Sequence, residues 1–271
     1  MFVALGLVSA GFVASCGGSS NTNTSINYQV ISNTAGQPAF VELENGLLAV
    51  IDKTVIEGVF EPPQLGDYTG PELEGNGGNN DNSEGFITQL NNVIVNGTTI
   101  PSFVYKNKIN DDIILLIDTP SDGFYSLALH AEPYNRIAGW HSYSGYAIAV
   151  NASEGEQYTP MPVEAQFRFD SGTFSLGIGS VDHGLIINSN DGNFDVSTGI
   201  FSNVATGSMY YGNPTVTNNG NVQVEGQLTG AQANGLVGVF AWLPDGATDL
   251  GFEKGEDVLG SFSAVRKTPL E

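Results

Sequence analysis

Residues 222–229 constrain the fold more than any other segment. Val222, Val224, Gly226 and Leu228 are apolar or bare, while Gln223, Glu225, Gln227 and Thr229 between them are polar. A two-residue period sends successive side chains to opposite faces, so the segment is a strand with one dry and one wet face. A sustained 3.6-residue apolar period is almost nowhere found, which leaves little room for helices. The 35 Gly and 12 Pro, with a heavy load of Asn, Ser and Thr, fit many strands joined by turns.

Further strand candidates in the second half are residues 142–150, 163–169, 173–178, 184–187, 192–196, 207–211, 235–241 and 260–266. Asp170-Ser171-Gly172, Ser189-Asn190-Asp191-Gly192, Asn218-Asn219-Gly220 and Pro244-Asp245-Gly246 read as the turns between them. The last strand, Ser261 to Arg266, is a partner for the first, and pairing them hides both sheet edges. Glycines inside strands then serve coiling and close backbone approach. Eight or nine strands make a barrel either filled by side chains or just wide enough for a small ligand. Short strands without aromatic girdles speak against a membrane-spanning barrel.

The first half is irregular. Phe40-Val41-Glu42-Leu43 and Leu47 to Ile51 read as a hairpin around Glu44-Asn45-Gly46, and residues 61–83 as a long acidic loop. Ile113 to Ile117 is a buried strand candidate, stopped by Thr119-Pro120-Ser121-Asp122-Gly123. The fold expected is all-β: a C-terminal eight-stranded antiparallel barrel with a smaller, irregular, mainly-β N-terminal lobe.

Residues 1–15 are apolar and end in Val13-Ala14-Ser15-Cys16, after which a Gly-, Ser- and Asn-rich stretch runs to Asn27. This grammar predicts a lipoprotein signal peptide over 1–15, a lipidated Cys16, and a flexible tether over 16–27. The lobe then occupies 28–136 and the barrel 137–271. A single acyl chain anchors weakly, so stable attachment takes more than one on this terminus. No Lys or Arg precedes the apolar run, so either Met1 is not the true first residue or the signal reading fails. Cys16 is the sole cysteine, which removes disulfides and cysteine metal sites. Gly17, not Asp, follows it, and the expected location is the outer membrane, lipid-anchored and facing outward.

Twenty-nine acidic against 8 basic residues give a formal charge of −21. Binding to nucleic acid is excluded, because phosphate neutralisation needs a basic surface. Electrostatic adhesion to anionic lipid is disfavoured too. By net charge alone, a protein partner would present positive charge.

The series Gly226-Gln227-Leu228-Thr229-Gly230, Gly235-Leu236-Val237-Gly238-Val239-Phe240 and Leu259 to Arg266 resembles the closing barrel strands of the transferrin-binding protein B-like surface lipoproteins. Tyr143-Ser144-Gly145-Tyr146-Ala147 is similar to their opening barrel strand. The resemblance covers residues 139–267. It implies an eight-stranded barrel behind a more variable N-terminal lobe, on a lipid-anchored tether outside the cell. Members capture host transferrin or lactoferrin, haem or haem proteins, or complement regulators, and some are released. Residues 28–136 show no motif of a transferrin-binding lobe. With one barrel, the chain is nearer in layout to single-barrel relatives, haemophilin-like or solute-binding.

His130, His141 and His183 are the histidines. His130, Tyr134, Trp140, His141 and Tyr143 form an aromatic-rich junction, and a His–Tyr pair with packing aromatics is a haem-ligating combination. The same residues serve equally as core with a polar handle. Trp242, before Pro244-Asp245-Gly246, is a candidate anchor for a partner or a cap on the barrel. Phe124-Tyr125 and Tyr210-Tyr211 are further loop aromatics. Asp191-Gly192-Asn193 and Asp111-Asp112 read as solvated turns rather than calcium loops. No His-Glu-x-x-His or Gly-x-Ser-x-Gly motif occurs, and Asp182-His183 has no evident nucleophile. The function expected is a non-catalytic outer-membrane surface lipoprotein binding haem, an iron compound or a protein. The alternatives are a surface-coat or adhesion lipoprotein without a small ligand, and a secreted hydrolase.

Overall fold

The computed structural model describes residues 28–32, 39–43, 47–51, 86–95, 98–107, 112–119, 123–129, 132–151, 156–210, 217–243 and 258–267. Cys16, His130, Tyr211, the loop at 61–83 and the Pro244-Asp245-Gly246 turn lie outside them.

Seven strands form an N-terminal sheet: β1 (Tyr28–Ser32), β2 (Ala39–Leu43), β3 (Leu47–Ile51), β4 (Phe86–Val95), β5 (Thr98–Asn107), β6 (Ile113–Thr119) and β7 (Gly123–Leu129), in the order β1-β2-β3-β7-β6-β5-β4. Leu43 pairs with Leu47, as the expected hairpin requires.

Eight antiparallel strands then close a barrel: β8 (Trp140–Asn151), β9 (Glu156–Arg168), β10 (Thr173–Ser180), β11 (Leu185–Asn193), β12 (Ile200–Tyr210), β13 (Thr217–Thr229), β14 (Gly235–Leu243) and β15 (Val258–Arg266). Pairing of β15 with β8, Val258 opposite Asn151 through Arg266 opposite Tyr143, makes the closure.

Two expected turns are strand instead. Ser189-Asn190-Asp191-Gly192 lies within β11, where Leu176 faces Ser189 and Phe174 faces Gly192. The surplus residues on β11 form a bulge, with Asp191 at φ 59°. The strand bends without ending, so the two strands expected at 184–187 and 192–196 are one. Asn218-Asn219-Gly220 likewise sits inside β13, paired with Met209, Ser208 and Gly207.

Side chains fill the barrel interior, and glycines opposite aromatics make the room. Gly226 faces Phe201, Gly192 faces Phe174, Gly238 faces Phe262 and Gly260 faces Phe240 across paired strands. A Cβ on any of these glycines would run into the ring opposite. Trp242, 4% exposed, lays its indole over Gly207 and Gly220, which pair with each other. Phe167 anchors the centre, stacked on Phe174 at 5.2 Å and edge-on to Phe194 and Tyr143. Each aromatic buries about 150–250 Å². The interior is dry and the exposed outer wall rich in Asn, Gln, Ser and Thr, the reverse of an outer-membrane barrel.

One arc of the wall is dry on both faces. Ile148, Val150, Val237, Val239, Ala241 and Leu259 point outward from β8, β14 and β15 and pack against the N-terminal sheet, including Phe40, Val50, Ile114 and Leu116. Ser126 Oγ donates to Ser261 Oγ at 2.9 Å across this seam, and Thr229 Oγ1 donates to Asp112 Oδ2 at 2.8 Å. Asp112, expected in a solvated turn, is fully buried there.

Candidate functional site at the strapped end of the barrel

Between β7 and β8 the chain crosses one end of the barrel as a strap, residues 132–139. Pro133 and the turn-forming Asn135 and Gly139 deny it regular structure, so its backbone groups bond to the barrel turns instead. Asn135 N donates to Gly230 O, Gly230 N to Glu132 O, and Phe169 N to Gly139 O. The Tyr134 ring lies against Gly199 and packs on the barrel core, and its hydroxyl donates to Val196 O at 2.9 Å. Burial raises the Tyr134 hydroxyl above its ordinary pKa, with Arg136 opposing and Asp195 adding to the rise.

The junction residues separate once β8 begins, because alternate residues take opposite faces. Trp140 faces out, 59% exposed, directly opposite Arg168 of β9. His141 turns the other way, its ring edge-on to Phe169 at 5.8 Å and its Nε2 2.9 Å from Ala138 O. A carbonyl accepts only, so Nε2 carries a proton and Nδ1 is the basic nitrogen. Tyr143 is core: it is fully buried, its hydroxyl donates to Ala233 O at 2.7 Å, and burial drives its pKa far above the ordinary phenol value. Both tyrosine hydroxyls at this end are therefore engaged by carbonyls. Trp242 belongs to the core, and His130 lies outside the described residues.

Sequence reasoning missed the arginines. Arg136, Arg168 and Arg266, the only arginines of the chain, all stand at this end, on the strap, at the end of β9 and at the end of β15. Arg266 Nη1 donates to Gln232 O at 2.8 Å, and Lys267 pairs with Glu164 at 2.6 Å. The signal available was scarcity: of 8 basic residues, Arg136 precedes the first barrel strand, Arg168 ends the second, and Arg266 ends the last with Lys267 next to it.

At the opposite end, His183 does have a hydroxyl neighbour. Ser180 Oγ lies 2.7 Å from His183 Nδ1 across the short 3₁₀ turn Val181–His183. The pair is exposed and three residues apart, and Gly184 N is spent on Val181 O, so the contact closes a turn. Among the described residues, no group of three or more His, Cys, Asp or Glu gathers as a metal site.

With this geometry in place, the chain is similar in structure to transferrin binding protein B. The isotype 1 protein from serogroup B Neisseria meningitidis aligns at 13% identity and a TM-score of 0.45, over 69% of this chain and 36% of that one. A single mutant from Haemophilus parasuis Hp5 aligns at 13% identity and 0.43, over 93% and 62%. A double mutant of the same protein aligns at 14% and 0.42, over 86% and 51%. The chain thus spans less than two thirds of each of these proteins. No protein-family model matches the chain, and no curated protein matches it.

Proposed function

We propose that the chain is a non-catalytic binding module, held at the outer membrane surface by an acylated Cys16, whose partner is a protein engaging the strapped end of the barrel. The observation that carries the reading is Trp140. It stands 59% exposed on the first residue of a barrel strand, while the other tryptophan is core. Large aromatics on rigid elements dominate protein interfaces because they bury much area at low entropic cost. A side-chain-filled interior favours an external contact over a ligand inside the barrel.

The test compares immobilised full chain with Trp140→Ala in retaining proteins from cell-surface and host extracts. A species retained by the wild type and about tenfold less by the variant supports the reading. Equal retention by both overturns it. Haem titration runs in parallel: a Soret band that disappears in His141→Ala would replace a protein partner with haem, His141 Nδ1 being the free ring nitrogen.

A further inference from the structure

We infer that the face around Trp140 docks a protein surface bearing carboxylates, against the sign that the net charge of −21 demands. This deepens the preceding reading and rests on it. Arg168 is the direct cross-strand neighbour of Trp140, so both side chains leave the same face of the wall. Arg136 stands four residues before Trp140 on the strap, whose backbone bonds to Gly230 hold it to the barrel.

Both arginines are exposed, and among the described residues neither side chain has an ion pair or hydrogen bond, whereas Arg266 and Lys267 are engaged. Acids stand nearby as well: Glu132, Asp170 and Asp195 are exposed at the same end. Asp195 is turned onto its own loop, accepting from Ser197 N and Oγ at 2.7 and 2.6 Å. The end is locally balanced inside a strongly acidic chain. Charges farther than roughly 8 Å are screened at physiological salt, so the partner meets this local arrangement rather than the total.

An exposed indole with the Arg168 guanidinium beside it, and Arg136 on the pinned strap at the same end of the barrel, fit a carboxylate next to an apolar hollow. Arginine takes carboxylates bidentately, and Trp and Arg are the residues enriched at interface hot spots.

Ionic quenchers read the local sign without a known partner. Trp140 emission is taken as the difference between wild type and Trp140→Phe, with iodide and caesium as opposite-sign probes. With each constant taken relative to that of free N-acetyltryptophanamide, iodide should quench it more strongly than caesium, and an Arg136→Gln/Arg168→Gln double variant should lower the iodide constant about threefold, the effect of roughly one kT of local potential. Stronger caesium quenching, or no change in the double variant, overturns the inference. Poly-L-glutamate at physiological salt should shift Trp140 emission in the wild type and not in the double variant; a shift with poly-L-lysine instead overturns it. If Trp140→Ala loses the captured protein while the double variant keeps it, the acidic partner fails and the binding site stands.

Discussion

Glu225 stands directly opposite Ser202 on the outer wall, and the Ser202 hydroxyl donates to its carboxylate at 2.8 Å. Gln223 Nε2 donates to the same oxygen at 2.7 Å. Burial raises the Glu225 pKa, and the two donors only partly offset it. A carboxyl with a raised folded pKa favours the folded state when protonated. Its penalty appears as pH rises from the unfolded value, near 4.5, through the folded one, and is constant above. Glu225→Gln should therefore gain stability relative to wild type over that rise, with little difference below it. Urea unfolding of both proteins from pH 4 to pH 8 checks this, and a pH-independent difference counts against it.

Trp242 over Gly207 and Gly220 gives a second expectation. A methyl on Gly207 meets the indole and Val222 together. Gly207→Ala should destabilise the barrel by about 1–3 kcal/mol, as overpacking does. Gly177→Ala, where a Cβ comes no nearer than 3.6 Å to any neighbour, serves as the control. Denaturant midpoints of the two variants should differ clearly.

The strap is held in part by one hydroxyl. Tyr134→Phe removes the bond to Val196 O and should cost about 0.5–1.5 kcal/mol. Hydrogen exchange at the Asn135 and Gly230 amides, which bond across the strap, should accelerate by up to about tenfold. Unchanged protection at both amides would show that the ring, rather than the hydroxyl, fastens the strap.

Across the seam, Thr229→Val withdraws a donor from the buried Asp112 carboxyl. Asp112 keeps a further partner, so the loss of this hydrogen bond should cost about 0.5–1.5 kcal/mol. The loss should be near zero in an Asp112→Ala/Thr229→Val background relative to Asp112→Ala alone if the two side chains act as a pair, and a double-mutant cycle measures it.

The barrel was legible because its grammar is local. Alternation in residues 222–229 marks the dry face, on which Val222, Val224 and Leu228 are indeed fully buried. The opposite face is wet only in part: Gln223 and Gln227 are half-buried, while Glu225 and Thr229 are buried. Glu225 is covered by Ser202 and Gln223, and Thr229 by Asp112, 117 residues away in sequence. No local pattern announces such a distant neighbour. The Asn-Gly and Asp-Gly signals failed where pairing with a neighbouring strand, β10 for Ser189 and Gly192 and β12 for residues 218–220, outweighed turn propensity, and where Gly220 is required bare beneath an indole. β4 and β5 escaped notice because polar residues interrupt them, although Asn96-Gly97 between the paired Val95 and Thr98 is a strong hairpin signal. At the candidate site, Trp140, His141 and Tyr143 lie within four residues, yet strand alternation sends Trp140 to solvent and Tyr143 to the core.

The double-sided dryness of β8, β14 and β15 has a practical corollary for anyone cutting the protein apart. A barrel produced without its companion sheet would present Ile148, Val150, Val237, Val239, Ala241 and Leu259 as a greasy stripe. Such a fragment should self-associate, and the stripe would imitate a receptor surface that the intact chain does not offer.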